Sequence, residues 1–315
     1  MKVLFKAIFS ILILNNGCGV ASRMHTYSAE EAIVVASDTD TPMYYGGLKQ
    51  VVAFQEFIIS GAKPEGRVGF ESLMKMDVSM IVCVDGVTPD VKTAQEYGIK
   101  TVHIPLKYEA PTDEQIFDLT TVVSRIDRGN VYIHCHQGKH RSAAAAAIVS
   151  IALGSLTLDE AKERMEVSQT SHEYKGLWEA VEQTTVINVF DLLLNEKAYP
   201  SIVEPTGLMS QMIAMNGAMD NLIRIQNSNW KAPIDHPDLV GAAEAGMIAD
   251  TFRNIQLGDE ANAFSVDFET LLVNAIRHAS SLEDALLQRL PMVELDVYIQ
   301  RVEHSCMNCH AAFRK

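Results

Sequence analysis

The stretch that most constrains this chain runs from Val131 to Ala147. Val131, Tyr132 and Ile133 precede a polar run, His134, Cys135, His136, Gln137, Gly138, Lys139, His140, Arg141 and Ser142, and five alanines follow, from Ala143 to Ala147. A β-branched and aromatic run, a tight loop and a helix-forming run predict a strand, a turn and the start of a helix. A strand that feeds a helix through so short a loop turns successive backbone N–H groups inward at the positive end of the helix. Such a loop wraps a tetrahedral dianion. His136, Gln137, Gly138, Lys139, His140 and Arg141 are therefore the candidate phosphate-binding residues. Arg141 adds a planar fork of donors suited to two phosphate oxygens. The same field acts on Cys135, because a thiol beside a helix N-terminus and an arginine loses its proton more readily than the free side chain, whose pKa is about 8.5.

Phosphoryl transfer at such a loop needs Cys135 as nucleophile, amides and Arg141 to hold the equatorial oxygens, and an acid for the leaving oxygen. Ser142 can donate its hydroxyl to the sulfur as it departs from the thiophosphate intermediate. The competing reading is a buried structural cysteine beside an ion-paired arginine, and the strand before and helix after favour the cradle. The pattern HCx5RS, read here as HCHQGKHRS with His134 flanking the nucleophile, resembles the signature of the cysteine-dependent protein tyrosine and dual-specificity phosphatases.

At the start of the chain, Lys2 and Lys6 flank a mostly apolar run from Val3 to Leu14, too short to span a bilayer, with Gly17, Gly19 and Ala21 after it. This is the pattern of a signal peptide over residues 1–21, cleaved after Ala21. Cys18 after Gly17 also resembles a bacterial lipoprotein site, but Asn15 stands where that site prefers leucine. The expected location is periplasmic or secreted, without a membrane span. The net charge of −14 is spread over both halves of the chain and leaves no basic stripe for nucleic acid. Five cysteines in an exported chain could form a disulfide framework with one left over. Their positions argue otherwise, and Cys83, between Val82 and Val84, reads as a small core residue.

Residues 22–45 are polar and mixed, with Ser37, Asp38, Thr39, Asp40, Thr41 and Pro42 as a linker-like cluster of little order. From residue 46 to about 185, short apolar strands near 51–59, 79–84, 101–105 and 130–134 alternate with helical stretches near 68–76, 88–97, 112–127, 141–153 and 157–168. That alternation predicts an α/β domain with a central, largely parallel sheet and helices on both faces. Thr112 with Gln115 and Thr157 with Glu160 stand at capping-box spacing. The stretch resembles a bacterial branch of the dual-specificity phosphatases, with Gly61, Ala62, Lys63 and Pro64 where that branch has a Gly-x-Pro turn and Val102 to Glu109 resembling its acid-loop strand. The resemblance implies an aspartate as general acid on that loop. Here Glu109 falls closest to the slot, one C–C bond longer than aspartate, and Asp113 is the rival, although the first turn of a helix favours a carboxylate for its dipole alone. His136, Lys139 and His140 would raise the positive charge of the cradle and suit a multiply anionic substrate, or be plain solvated loop residues.

Tyr199, Pro200, Pro205 and Gly207 mark a domain boundary. Beyond it, from 200 to 315, four helical segments near 207–227, 237–256, 265–288 and 292–313, separated at Pro233, Pro237, Gly258 and Pro291, predict an all-α four-helix bundle. The last carries Cys306, Met307, Asn308, Cys309 and His310. CxxCH is the attachment sequence for one covalent haem c, with two thioether positions and His310 as the proximal iron ligand. A thioredoxin-type CxxC belongs at a helix start, and a zinc site lacks partner ligands at useful spacing. A bundle ending in CxxCH and His310, Ala311, Ala312, Phe313, Arg314 resembles the cytochrome c-prime and c-556 family. That resemblance implies a c-type cytochrome domain whose distal side is open to small gases or filled by a methionine from the first helix. Met209, Met212, Met215 and Met219 lie there; Met212 is the first choice, and His236, His278 and His304 are not preferred.

The whole reads as a periplasmic or secreted cysteine-dependent phosphatase that hydrolyses phosphate monoesters through a phosphocysteine, fused to a covalent haem domain for electron transfer or for gas or redox sensing. A phosphorylated substrate, a redox partner or gas at the haem, and a second copy through the bundle are the expected partners. The second reading is a haem electron-transfer or sensor protein whose phosphatase fold only binds anions.

Overall fold

The computed structural model describes residues 32–204, 207–258 and 265–313, so the expected leader and the first part of the linker lie outside the described residues. The six strands are β1 (Met43–Tyr45), β2 (Leu48–Gln55), β3 (Ile58–Ala62), β4 (Val78–Cys83), β5 (Lys100–His103) and β6 (Asn130–Cys135), in spatial order β1-β2-β3-β6-β4-β5. The β1-β2 and β2-β3 pairs are antiparallel, whereas β3-β6, β6-β4 and β4-β5 are parallel. The sheet is therefore mixed. The single strand expected near 51–59 is a hairpin folded at Glu56 and Phe57, with apolar residues continuing through both arms and hiding the turn.

Alternation along the strands sorts side chains to two faces. Val131, Ile133 and Cys135 of β6 join one core, and Tyr132 joins the other. Helices α1 (Gly66–Lys75) and α2 (Val91–Glu96) accompany the second core. The first core is covered by α3 (Asp113–Ser124), α4 (Arg141–Ala152), α5 (Leu158–Val167) and α6 (Lys175–Gln183). Every residue of α4 is buried. Alanine explains this: a helix whose side chains end at Cβ can be approached closely from all sides, and α4 touches α3, α5, α6 and the sheet. Both capping boxes are present, Thr112 with Gln115 on α3 and Thr157 with Glu160 on α5.

Two segments expected to lie apart from this unit are part of it. The Ile33 amide donates to Lys75 O at 2.8 Å, Arg164 donates to Ser37 O and Thr39 O at 2.9 Å each, and β1 extends the sheet. The described part of the presumed linker is thus tied down by backbone groups that its polar composition did not reveal. Downstream, α7 (Val189–Leu194) and the strand-less stretch after it fold back. Lys197 Nζ reaches Asp118 Oδ2 at 2.6 Å, Tyr199 donates to Asp118 Oδ1 at 3.0 Å, and the His103 amide donates to Pro200 O at 3.0 Å. The first unit therefore continues past residue 200.

The remaining helices are α8 (Leu208–Asn227), α9 (Gly241–Leu257), α10 (Val266–Leu287) and α11 (Met292–Phe313). They pack in sequence, α8 on α9, α9 on α10 and α10 on α11, around Leu222, Ile248, Phe252, Leu272, Leu282 and Ile299. No described helix is long and apolar enough to cross a membrane. Ala242 of α9 and Leu286 of α10 also pack against the first unit's core, so the sheet unit and the helices share an apolar seam.

Candidate active site

β6 occupies the middle of the parallel part of the sheet, so its carboxyl end opens directly onto the N-terminus of α4. Cys135 is the last residue of β6 and Arg141 the first of α4. Between them the chain turns through Gly138 at φ +76°, where a Cβ would overlap the Ala62 backbone at the end of β3. Only glycine takes that backbone at that distance. The Gly138 amide donates to Cys135 Sγ at 3.3 Å, and Ser142 Oγ lies 3.3 Å from the same sulfur. The residues expected to serve the nucleophile are thus gathered around it, with Cys135 and Arg141 each only 2% exposed.

Arg141 is surrounded by acceptors. Nη1 donates to Asp250 Oδ2 at 2.8 Å and lies 3.4 Å from Leu106 O; Nη2 donates to Asp85 Oδ1 and the Tyr108 hydroxyl, both at 3.2 Å. Burial opposes its charge, but Asp250, Tyr108 and Asp85 hold its pKa well above the usual arginine value. Its Nε is buried and has no partner among the described residues. Asp250 comes from α9, and burial raises its carboxyl pKa against the pull of Arg141.

Burial disfavours the charged forms of His134, His136 and His140. Burial pushes His134 down to about 4, and His136 and His140 to about 3, with the neighbouring charges of Arg253 and Lys63 on His136 and of Lys139 and Arg141 on His140 adding to the effect. His140 Nδ1 accepts from the Ser171 amide at 3.2 Å, and its ring meets Tyr174 edge-on. The expected positive fringe of the cradle reduces to Lys139 and Arg141, because enclosure further disfavours the imidazolium. Gln137 and Lys139 are half-buried, and Lys139 O accepts from Thr170.

Neither acid candidate is tied to the cradle by a hydrogen bond among the described residues. Asp113 is exposed in the first turn of α3, where its helix-dipole role suffices. Glu109 is exposed on a 1060 Å³ cleft between the sheet unit and the bundle, beside Glu244, whose carboxyl burial pushes up to about 7 with Glu109 contributing. The side chain of the acid loop that faces the cradle is Tyr108, its ring 4.4 Å from the Arg141 guanidinium. Asp85, Tyr108, Asp250 and Glu283 were missed from sequence. Two of them come from helices more than 100 residues away along the chain and carry no local pattern.

At the far end of the bundle, Cys306 and Cys309 stand three residues apart on one face of α11. Both are half-buried against the core that also receives Met212, Met219 and Phe313. Burial raises both thiols, Cys306 to about 11 with Cys309 adding. His310 is exposed next to them, and Met209 is 75% exposed. Met215 is buried in the core. Two thiols and an adjacent imidazole are residue types that a covalent haem would need, and no three-residue His, Cys, Asp or Glu cluster for a bare metal ion occurs among the described residues.

No family model matches this chain, and no curated protein matches it. Similar solved structures include P. aeruginosa TpbA, 16% identical over 50% of this chain and 96% of that one, TM-score 0.38. TpbA in complex with pTyr is 17% identical, covering 54% and 97%, TM-score 0.38. Human DUSP28 is 17% identical, covering 46% and 95%, TM-score 0.36. Each spans about half of this chain.

Proposed function

We propose that this chain is an exported cysteine-dependent phosphatase whose helical bundle carries a covalent haem c. The observation that carries the first part is Cys135 at the end of a central parallel strand, with an amide and a hydroxyl on its sulfur and a buried guanidinium beside it. In the reaction Cys135 Sγ attacks phosphorus, the S–P bond forms, and the P–O bond to the leaving group breaks with its electron pair on that oxygen. The loop amides and Arg141 hold the equatorial oxygens. Water then attacks the phosphocysteine, phosphate departs, and the Ser142 hydroxyl stabilises the sulfur as it leaves. An aryl oxygen of low pKa leaves without a proton, so the step stands without Glu109 or Asp113.

Cys306 and Cys309 would hold the haem through thioethers and His310 would ligate its iron, with Met212, half-buried against the same core, the candidate second ligand. The group would supply one-electron chemistry or small-gas binding.

Hydrolysis of p-nitrophenyl phosphate by the full chain and by Cys135→Ser tests the first part. Cysteine-dependent turnover is the expected result. Turnover absent from both, and still absent when Asp250→Ala removes the carboxylate from Arg141, would favour the second reading, a haem protein with an anion-binding module. A visible spectrum with and without reductant tests the second part.

A further inference from the structure

The cradle is closed from above by the bundle. Asp250 of α9 places Oδ2 on Arg141 Nη1 at 2.8 Å while Arg253 Nη1 holds its Oδ1 at 2.6 Å. Glu283 of α10 accepts from the Tyr108 hydroxyl at 3.2 Å and from the Tyr174 hydroxyl at 2.9 Å, both from the sheet unit. Asn254, one turn beyond Asp250, donates to Gly86 O at 2.8 Å. Gly246, one turn before it, lies so close to the acid loop that a Cβ there would stand 2.9 Å from the Tyr108 ring and 3.0 Å from Glu283 Oε1. Three successive turns of α9 are thus seated on the loops that frame Cys135.

The consequence for a substrate is steric and electrostatic together. Both terminal nitrogens of Arg141 already serve carboxylates, and the nucleophile lies sealed beneath them. A carboxylate presents two oxygens and a negative charge, as one edge of a phosphate does. A phosphate dianion entering beside Asp250 would set two anions on one guanidinium in a dry site, where like charges repel strongly.

We propose that Asp250 is a built-in phosphate mimic that keeps the phosphatase latent, so that oxyanion binding at Cys135 and seating of α9 on the cradle exclude each other. The proposal rests on the phosphatase reading for its purpose but not for its geometry. The bundle that bears the CxxCH motif is thereby the element whose movement opens the site. Glu283 and Asn254 fasten the seal, and Asp250 occupies the seat.

The test uses the full chain and two variants that disturb the seal differently. Asp250→Ala removes the mimic; Gly246→Val wedges α9 from Tyr108 without touching Cys135 or Arg141. Alkylation of Cys135 by iodoacetamide, read by peptide mass, should be at least about tenfold faster in both variants, the loss expected of one charge-assisted bond. Inorganic phosphate should slow alkylation in the variants at concentrations that leave the wild type unaffected. Alkylation as fast in the wild type as in both folded variants overturns the proposal. Faster alkylation with rising p-nitrophenyl phosphate turnover supports latency and the phosphatase together, whereas faster alkylation with no turnover keeps the seal and removes the phosphatase. Unchanged alkylation with turnover lost selectively for poor leaving groups in Asp250→Ala would make Asp250 a proton donor and overturn the mimic.

Discussion

The two ends of the helical bundle treat their reactive groups in opposite ways. Where α9 and α10 meet the sheet unit, one guanidinium is enclosed with Asp85 and Asp250, and two tyrosine hydroxyls converge on Glu283. At the end of α11, Cys306 and Cys309 are half-buried and His310 stands in solvent. The first end pairs both terminal nitrogens of Arg141 and the two tyrosine hydroxyls within the chain, leaving the Arg141 Nε without a partner among the described residues. The second leaves two thiols half-open and an imidazole open to solvent. A bundle of ordinary core packing thus joins a finished interface to an unfinished one, and each should respond to mutation accordingly.

The largest effect is expected at the finished end. Arg141→Met leaves buried Asp85 without its cation and takes one of two from Asp250, which keeps Arg253, and should cost about 3–5 kcal/mol of stability, seen as a large fall in denaturant midpoint. A loss under about 1 kcal/mol would mean that water reaches the cluster and the enclosure is wrong. Gly138→Ala comes next, because its φ of +76° and the Ala62 backbone leave no room for a side chain. It should abolish cysteine-dependent turnover while lowering the thermal midpoint by a few degrees, through about 1–3 kcal/mol of strain. Unaltered turnover would show that the loop does not shape the cradle.

Glu283 sharpens the contrast through pH. Burial pushes its carboxyl up to about 7, with Asp250 adding and the Tyr174 hydroxyl, Arg141 and Arg253 opposing; Tyr108 also donates to it. A carboxyl that holds its proton more tightly folded than unfolded favours the fold at low pH. Stability is lost as pH rises from the ordinary glutamate value, where the unfolded group ionises, through about 7, where the folded one does. Glu283→Gln fixes the neutral form, so the fall in thermal midpoint between those limits should be smaller than in the wild type. Identical pH profiles would place the titration elsewhere. The smallest effect belongs to the open end: His310→Ala should change apoprotein stability by no more than about 0.5 kcal/mol, as for an exposed side chain, while altering the visible spectrum of any haem-loaded protein.

The same contrast separates what the sequence disclosed from what it hid. The strand, loop and helix at 131–152 and the four late helices were legible because apolar period, alanine content and Pro or Gly joints are local signals. The hairpin at 48–62 was not, since Glu56-Phe57 lacks a turn-forming pair and the apolar run crosses it. His136 and His140 were read as either charge on the cradle or solvated loop residues, because burial does not show along a chain. Glu109 and Asp113 were chosen for their distance from Cys135 in sequence, whereas the carboxylates at the cradle, Asp85 and Asp250, arrive from a neighbouring strand end and a distant helix. Long-range pairing of charge leaves no periodic trace.

A phosphoryl-accepting Cys135 whose access the bundle governs would carry the phosphate between attack and hydrolysis. Acid-quenching the full chain and Asp250→Ala during incubation with p-nitrophenyl phosphate, then weighing the peptide that contains Cys135, tests it most directly. The expected result is a phosphoryl adduct on that cysteine, sparse in the wild type and abundant in Asp250→Ala. An adduct on neither protein, or equal amounts on both, would contradict it.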